Sequence, residues 1–213
     1  QQAGVRRFIG MSALGTRPHA VARYHQTKWA AEELVRNAGL DFTIFRPSVI
    51  HGPDGEFTRM LQGWANGTRA PWFFMPYFGR GMFGQQSSQI QPIYVGDVAQ
   101  AFVQALDNPQ AVGKTYDLVG PARYTWPELL HITSRIFRGK PKVPVAIPAW
   151  EADLMLKLHF PVPFTREQLT LALEDSIGDA APVQADFPGW QARPLESTMA
   201  AYKNQMQSGQ RSQ

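Results

Sequence analysis

A strand, a helix and a second strand follow one another within the first 47 residues, and this order constrains the fold most strongly. The apolar run from Arg7 to Ser12 predicts a short buried strand. Apolar residues then recur at helical spacing from about Ala20 to Asn37, and Gly39 is a natural helix stop. Leu40 to Phe45 predicts another buried strand, which Arg46-Pro47 ends. A βαβ unit implies a parallel sheet.

The chain changes character after residue 120. Before that point, the pattern predicts helices over Glu56–Asn66 and Gly96–Leu106, strands over 90–95 and 115–119, and irregular structure over 70–89. After it, helices are expected over about 125–137, 149–158, 165–174 and 195–207, with a loop over 179–193. Thr125 and Glu128 have the spacing of a capping box. We therefore predict a sheet domain over 1–122 with a substrate-side insertion over 55–89, a mostly helical substrate or partner lobe over 123–207, and a disordered tail over 208–213.

Tyr24, Lys28 and Ser12 form a constellation that suits proton transfer. Tyr24 and Lys28 lie four residues apart and share one helix face, and Ser12 ends the preceding strand. An ammonium beside a phenol lowers the pKa of the phenol, which can then exchange a proton with a substrate oxygen. A Tyr-x-x-x-Lys pair alone is more often a solvated helix face. Its position beside two parallel strand ends favours a site.

The motifs around this constellation resemble those of extended or atypical short-chain dehydrogenases/reductases. The segments that carry the resemblance, over roughly residues 1–175, are Arg7-Phe-Ile-Gly-Met-Ser-Ala-Leu-Gly15, Tyr24-x-x-x-Lys28, Phe42-Thr-Ile-Phe-Arg-Pro-Ser-Val-Ile-His-Gly-Pro53, Gln91-Pro-Ile-Tyr-Val-Gly-Asp-Val-Ala99 and Tyr116-Asp-Leu-Val-Gly120. The subgroup they resemble contains the nucleotide-binding accessory subunit of respiratory complex I and its bacterial relatives. The resemblance implies an α/β fold, with the C-terminal part of a Rossmann-type doubly wound parallel sheet and a small helical lobe.

The resemblance also implies roles for individual residues. Ser12, Tyr24 and Lys28 match the family's catalytic residues, and the tyrosine and lysine also contact the cofactor, NAD or NADP. The segment Pro47, Ser48, Val49 and Ile50 matches the backbone that lies along the nicotinamide. Asp97 matches an aspartate at a helix start, for which an N-cap-type structural role is expected and not a catalytic one. His51 either faces the substrate or is a plain loop histidine, and the second interpretation is favoured.

The family's phosphate-binding loop, Gly-x-x-Gly-x-x-Gly, has no counterpart upstream of Ser12. Gly79-Arg-Gly-Met-Phe-Gly84 spells a similar pattern, but Pro76 precedes it closely and no apolar-periodic helix follows it directly. We expect a flexible loop there. The chain is therefore expected to be the C-terminal half of a longer protein and to bind dinucleotide weakly on its own.

Two functions remain open for the whole protein, with an unidentified small-molecule substrate. The first is an NAD(P)-dependent oxidoreductase, and the alternative is a non-catalytic NADP(H)-binding subunit of a complex I-type membrane assembly; a sugar-nucleotide epimerase is a third interpretation. Aromatic residues over 72–78, with Trp150, Leu154 and Leu158, either pack against the sheet or contact a bilayer. The location expected is cytoplasmic or peripheral on the inner membrane. Scattered basic residues argue against nucleic acid, and no metal site is expected.

Overall fold

The computed structural model describes residues 4–209 as an α/β fold. Its strands are β1 (Arg7–Met11), β2 (Asp41–Pro47), β3 (Ile50–His51), β4 (Met75–Arg80), β5 (Gln86–Ser87), β6 (Gln89–Ile90), β7 (Ile93–Tyr94), β8 (Lys114–Leu118), β9 (Tyr124–Thr125) and β10 (Pro144–Pro148). Its helices are α1 (Arg23–Arg36), α2 (Glu56–Asn66), α3 (Val95–Leu106), α4 (Trp126–Arg138), α5 (Ala149–Lys157), α6 (Arg166–Leu173), α7 (Ala181–Asp186) and α8 (Leu195–Gly209).

The predicted βαβ unit is confirmed. Strands β1, β2 and β8 form a parallel sheet in that order, with Arg7 opposite Asp41 and Pro47 opposite Leu118. Helix α1 connects the first two strands and packs against β2. Because all three strands run the same way, their carboxyl ends, including the residues after Met11 and Pro47, meet at one edge of the sheet.

The segment over 179–193 is not the plain loop predicted from its sequence. It contains α7, and Val183, Phe187 and Trp190 are buried in the same apolar cluster as Phe45 and Tyr116 of the sheet. The Phe187 ring meets that of Tyr116 edge-on, with ring centroids 5.2 Å apart. A six-residue helix is too short to show a period, so the sequence pattern does not predict it. This late segment therefore completes the core of the sheet, while the predicted boundary between residues 122 and 123 stays a prediction.

The segment over 70–89 is also more regular than predicted. Strand β4 forms a hairpin with the antiparallel strand β5 and pairs in parallel with β10, which lies far away in sequence; together they form a second sheet. Gly79 and Gly84 face each other in this hairpin, and a Cβ at Gly79 would lie 1.9 Å from the carbonyl oxygen of Gly84. The glycine pattern thus serves a tight hairpin, not a strand-to-helix turn that could hold phosphate.

Helices α2, α4 and α8 enclose a second apolar cluster, which includes Leu61, Leu129 and Met199. The predicted capping box at the start of α4 is confirmed: the backbone N–H of Glu128 donates to Thr125 Oγ1, and that of Thr125 donates to Glu128 Oε2. Of the predicted tail, residues 208–209 end α8, and residues 210–213 lie outside the described part. Within residues 4–209, no helix combines the length and apolar character needed to cross a membrane.

Candidate active site

A cleft of about 340 Å³ opens at the carboxyl ends of β1 and β2, beside the first turns of α1. It contains all seven residues that the sequence marked as candidates: Ser12, Tyr24, Lys28, Pro47, Ser48, Val49 and Ile50. Ser12 and Ile50, 38 positions apart in sequence, reach the same cleft because parallel strands end at the same edge. Within residues 4–209, no group of three or more His, Asp or Glu side chains could hold a metal ion.

Ser12 is fixed at the floor of the cleft by the sheet. Its backbone N–H donates to the Phe45 carbonyl at 2.7 Å, one residue beyond the end of β1. The side chain is buried, and its hydroxyl lies 3.3 Å from Thr16 Oγ1. The sheet thus fixes the backbone of Ser12 at the cleft floor, where its hydroxyl can reach a substrate oxygen.

Tyr24 and Lys28 lie one turn apart near the start of α1, but their contact differs from the predicted one. The Lys28 ammonium donates to the Met11 carbonyl at 3.3 Å and lies 5.7 Å from the centroid of the Tyr24 ring. It therefore contacts the ring face and not the hydroxyl. Burial raises the pKa of the Tyr24 phenol above its ordinary value. The predicted lowering of this pKa by Lys28 is wrong for this arrangement.

The segment over 47–50 is held by hydrogen bonds on both sides. The Ser48 N–H donates to the Leu118 carbonyl at 2.9 Å, and the Ile93 N–H donates to the Val49 carbonyl at 3.0 Å. The Ser48 hydroxyl lies 3.0 Å from that of Ser176. The backbone thus forms a fixed wall of the cleft, with the Pro47, Val49 and Ile50 side chains presenting apolar surface.

The opposite wall comes from residues that the sequence did not identify. Leu171, Glu174, Asp175 and Ser176, at and beyond the end of α6, line the cleft together with His25. Arg17 donates to both carboxylate oxygens of Glu174, at 3.3 and 3.4 Å. Burial lowers the pKa of His25, while Glu174, 3.4 Å from its Nδ1 but outside hydrogen-bond geometry, acts in the opposite direction. No local motif marks these residues; only the tertiary fold brings them to the cleft.

A buried carboxylate fixes the orientation of α1 behind the cleft. Arg46, on β2, donates to both oxygens of Glu32 at 2.8 and 2.7 Å, and Arg36 donates to Oε2 at 2.6 Å. Burial acts to raise the pKa of Glu32, but hydrogen bonds from Arg46, Ser12 and Arg36 outweigh it and hold the pKa below its usual value. The same helix carries Tyr24 and Lys28, so this network sets their position over the sheet.

Asp97 has the structural role that the sequence predicted, although not as a cap of its own helix. It is fully buried in the first turn of α3, and its carboxylate accepts hydrogen bonds from the Arg193 backbone N–H at 2.8 Å and from Arg193 Nε at 2.6 Å. The carboxylate thereby anchors the segment between α7 and α8. Asp97 is absent from the lining of the cleft.

His51 is neither a loop residue nor a substrate contact. It is fully buried in β3, and its Nδ1 lies 3.2 Å from the Tyr202 hydroxyl of α8. Burial lowers its pKa from about 6.5 to about 4. The expected loop position is therefore wrong, because the two-residue strand pairs with β7 inside the protein.

The His51 pKa makes stability depend on pH. A histidine with a lowered folded pKa is protonated more readily in the unfolded chain, so its contribution is complete above pH 6.5 and is lost as pH falls toward 4. We expect unfolding to require about 2 kcal/mol less at pH 5 than at pH 7 on account of this residue. Denaturant titrations at both pH values measure this difference. His51→Gln should reduce this difference in unfolding free energy, whereas substitution of the exposed His131 by Gln should not. If the unchanged protein and both variants show the same dependence of stability on pH, His51 is not its cause.

Comparisons with known proteins agree with this architecture. A family model described as Male sterility protein, of the NAD_binding_4 type, matches residues 11–101. The chain is 34% identical over 189 residues to the mitochondrial NADH dehydrogenase [ubiquinone] 1 alpha subcomplex subunit 9 of Arabidopsis thaliana, an alignment that covers 83% of this chain and 45% of that protein. The chain spans about half the length of the curated relatives of this kind that it matches.

Solved structures show the same fold at low sequence identity. UDP-glucose 4-epimerase from Thermotoga maritima superposes with a TM-score of 0.69 at 18% identity, covering 98% of this chain and 66% of the epimerase. UDP-glucuronic acid 4-epimerase from Bacillus cereus, solved with UDP-glucuronic acid and NAD, gives 0.66 at 15% identity, with 95% and 62% coverage. At these identities the likeness establishes the fold, a Rossmann-type α/β arrangement, and nothing about substrate.

Proposed function

Since this chain belongs with the extended short-chain dehydrogenases/reductases, we propose that its cleft is the proton-transfer end of an NAD(P)-dependent oxidoreductase site. The observation that carries the proposal is that Ser12, Tyr24, Lys28 and the segment over 47–50 line one cleft at the carboxyl edge of the parallel sheet. That edge is where ligands of open parallel sheets bind.

The described residues fit the nicotinamide end of the cofactor. The wall over 47–50 offers apolar surface to a flat ring. The Lys28 ammonium, which donates to the Met11 carbonyl and lies over the Tyr24 ring, has further N–H groups that can donate to ribose hydroxyls. When bound, nicotinamide supplies or accepts a hydride. Residues 4–209 contain no glycine-rich strand-to-helix turn at the cleft, so they do not provide a pyrophosphate subsite.

Each candidate residue has a distinct task in the proposed reaction. The Tyr24 hydroxyl gives a proton to the substrate oxygen on reduction and takes it back on oxidation. Ser12 donates a hydrogen bond that orients the same oxygen. Lys28 supplies positive charge beside Tyr24; a shift of its ammonium from the ring face toward the hydroxyl would lower the tyrosine pKa that burial now raises.

A second candidate function is a non-catalytic NADP(H)-binding subunit of a membrane-associated respiratory assembly. Two observations favour it: the sequence similarity to the alpha subcomplex subunit 9, and the raised pKa of Tyr24. A protein of this kind would bind the cofactor for structural reasons and sit against the membrane as part of a larger assembly. An epimerase would use the same three residues, and only the likeness of fold supports it.

Turnover by the protein produced from its complete gene distinguishes the oxidoreductase from the non-catalytic NADP(H)-binding subunit. We expect oxidation of NADH or NADPH in the presence of carbonyl substrates, tested as a panel of aldehydes, ketones, acyl thioesters and keto lipids. The measurement is the loss of absorbance of the reduced nicotinamide, with cofactor affinity measured by calorimetry in parallel. Submicromolar cofactor binding with no turnover on any substrate would support the structural subunit and contradict the enzyme.

A further inference from the structure

Helix α1 begins without a cap of its own. Ala22 occupies the N-cap position, where no side chain accepts a hydrogen bond, and the first turn of α1 contains no acidic residue. The first backbone N–H groups of a helix have no partner within that helix, and they give its N-terminus a partial positive charge. Tyr24, the proton donor of the proposed reaction, lies in this first turn. Its backbone N–H therefore needs an acceptor from another part of the chain or from water.

That acceptor comes from α6. The Tyr24 backbone N–H donates to Glu167 Oε1 at 2.8 Å, although 143 positions separate the two residues in sequence. Glu167 lies in the first turn of α6, and this helix already has a capping box formed by Thr165 and Gln168. The Glu167 carboxylate is thus near the N-termini of two helices, which is a favourable position for negative charge.

The same face of α6 makes a second contact with this region. Glu167, Leu171 and Glu174 follow one another at intervals of four and three residues, so they lie on one side of the helix. Arg17 donates to both carboxylate oxygens of Glu174, and His25 Nδ1 lies 3.4 Å from Glu174 Oε2. Leu171 lines the cleft. One face of α6 therefore contacts the start of α1 and the loop before it, and also forms part of the cleft wall.

We propose that Glu167 is a positioning residue, which holds Tyr24 where its hydroxyl can reach the substrate oxygen. The proposal rests on the oxidoreductase function proposed above and adds a residue to it. Proton transfer requires the Tyr24 hydroxyl and the substrate oxygen to stay within hydrogen-bond reach. Tyr24 is 43% exposed, so packing alone constrains it weakly, and the hydrogen bond to its backbone supplies a fixed point. The lobe that forms one wall of the cleft thereby also sets the position of the proton donor.

Glu167→Ala and Glu167→Gln, made in the protein produced from its complete gene, test this role. The alanine variant has no acceptor for the Tyr24 N–H, whereas the glutamine variant keeps a side-chain oxygen that can accept it. We expect Glu167→Ala to lower kcat about tenfold or more and to leave the Kd for NAD(P) within about twofold, because a misplaced reacting group slows the chemical step. Glu167→Gln should restore kcat to within about threefold of the unchanged protein.

Hydrogen–deuterium exchange, followed by mass spectrometry, measures the contact itself without any substrate. In Glu167→Ala the Tyr24 backbone N–H should exchange about five- to tenfold faster, which is the effect of losing a helix cap. In Glu167→Gln it should exchange as in the unchanged protein. The matched control is Glu151→Ala, which removes an acidic residue from the first turn of the neighbouring helix α5, outside the cleft lining. This control should change neither kcat nor the exchange at Tyr24.

The proposal is wrong if the Tyr24 N–H exchanges equally fast in Glu167→Ala and in the unchanged protein, since the hydrogen bond then does not hold the start of α1. It is also wrong if exchange becomes faster while kcat stays the same, or if Glu167→Gln is as impaired as Glu167→Ala. A complete lack of turnover by the unchanged protein would instead contradict the oxidoreductase function. The exchange measurement would then still decide whether Glu167 holds Tyr24.

Discussion

Tyr24→Phe, made in the protein produced from its complete gene, is expected to lower kcat by about 10²- to 10⁴-fold while leaving the Kd for NAD(P) nearly unchanged. The phenyl ring keeps the contact with the Lys28 ammonium, because the cation lies over the ring face and not beside the hydroxyl. Only the proton donor is lost. Steady-state kinetics and calorimetric cofactor titration on the same preparation measure the two quantities separately.

The matched control is Tyr77→Phe, which removes a tyrosine hydroxyl outside the cleft lining. It should leave kcat within about twofold of the unchanged protein, the size expected for a substitution away from the site. Retention of full activity by Tyr24→Phe would remove Tyr24 from the mechanism. A parallel loss of cofactor affinity would instead show that the hydroxyl mainly holds the cofactor.

Glu32→Ala is expected to destabilise the fold by about 3 kcal/mol, at the lower end of the range for breaking a buried ion pair. The Glu32 side chain is 2% exposed, and its removal leaves Arg46 and Arg36 without their shared acceptor. We expect the lower end of this range because the Arg36 and Arg46 side chains are partly exposed, so water can hydrate them once Glu32 is removed. Chemical denaturation at neutral pH measures the change in free energy of unfolding. The neighbouring Glu33→Ala, with a side chain that is 46% exposed, should cost less than about 1 kcal/mol.

The Glu32 interaction also has a defined dependence on pH. Its folded pKa is lowered, so its stabilising contribution is present above the unfolded pKa of about 4.3 and is lost as pH falls through the folded value. The stability difference between the unchanged protein and Glu32→Ala should therefore shrink below about pH 4. If the difference is constant down to pH 3, or if Glu33→Ala is equally damaging, the network does not hold α1 as described.

Local sequence signals were sufficient where one element could be identified without its neighbours. Helix α2 has the predicted bounds Glu56–Asn66, and the capping box at Thr125 has the predicted hydrogen bonds. The βαβ unit was predictable because apolar runs of strand and helix length alternate clearly. The seven candidate residues reach one cleft for the same reason, since parallel strands carry the residues at their ends to one edge.

Elements defined by distant partners were not predictable in the same way. Strand β4 pairs with β10, about 69 residues later, and nothing in 70–89 shows that partner. The wall formed by Glu174, Asp175 and Ser176 reaches the cleft through backbone pairing of Ser176 with Ile90 and Gln91. The sequence pattern predicts a loop at His51 because a two-residue strand has no measurable period. In each case the structure depends on contacts between residues that are far apart in sequence, and a local sequence pattern does not show such contacts.

The packing of Phe187 and Trp190 against Phe45 has a consequence for how the chain folds. The ring centroids of Phe45 and Phe187 lie 5.7 Å apart although 142 positions separate them in sequence. A core that depends on such distant contacts closes slowly, because a long loop must be ordered before the contact stabilises anything. During synthesis, the parallel sheet stays without one of its apolar layers until residue 190 has left the ribosome. Until then, the Phe45 and Tyr116 rings of β2 and β8 lack part of their apolar cover.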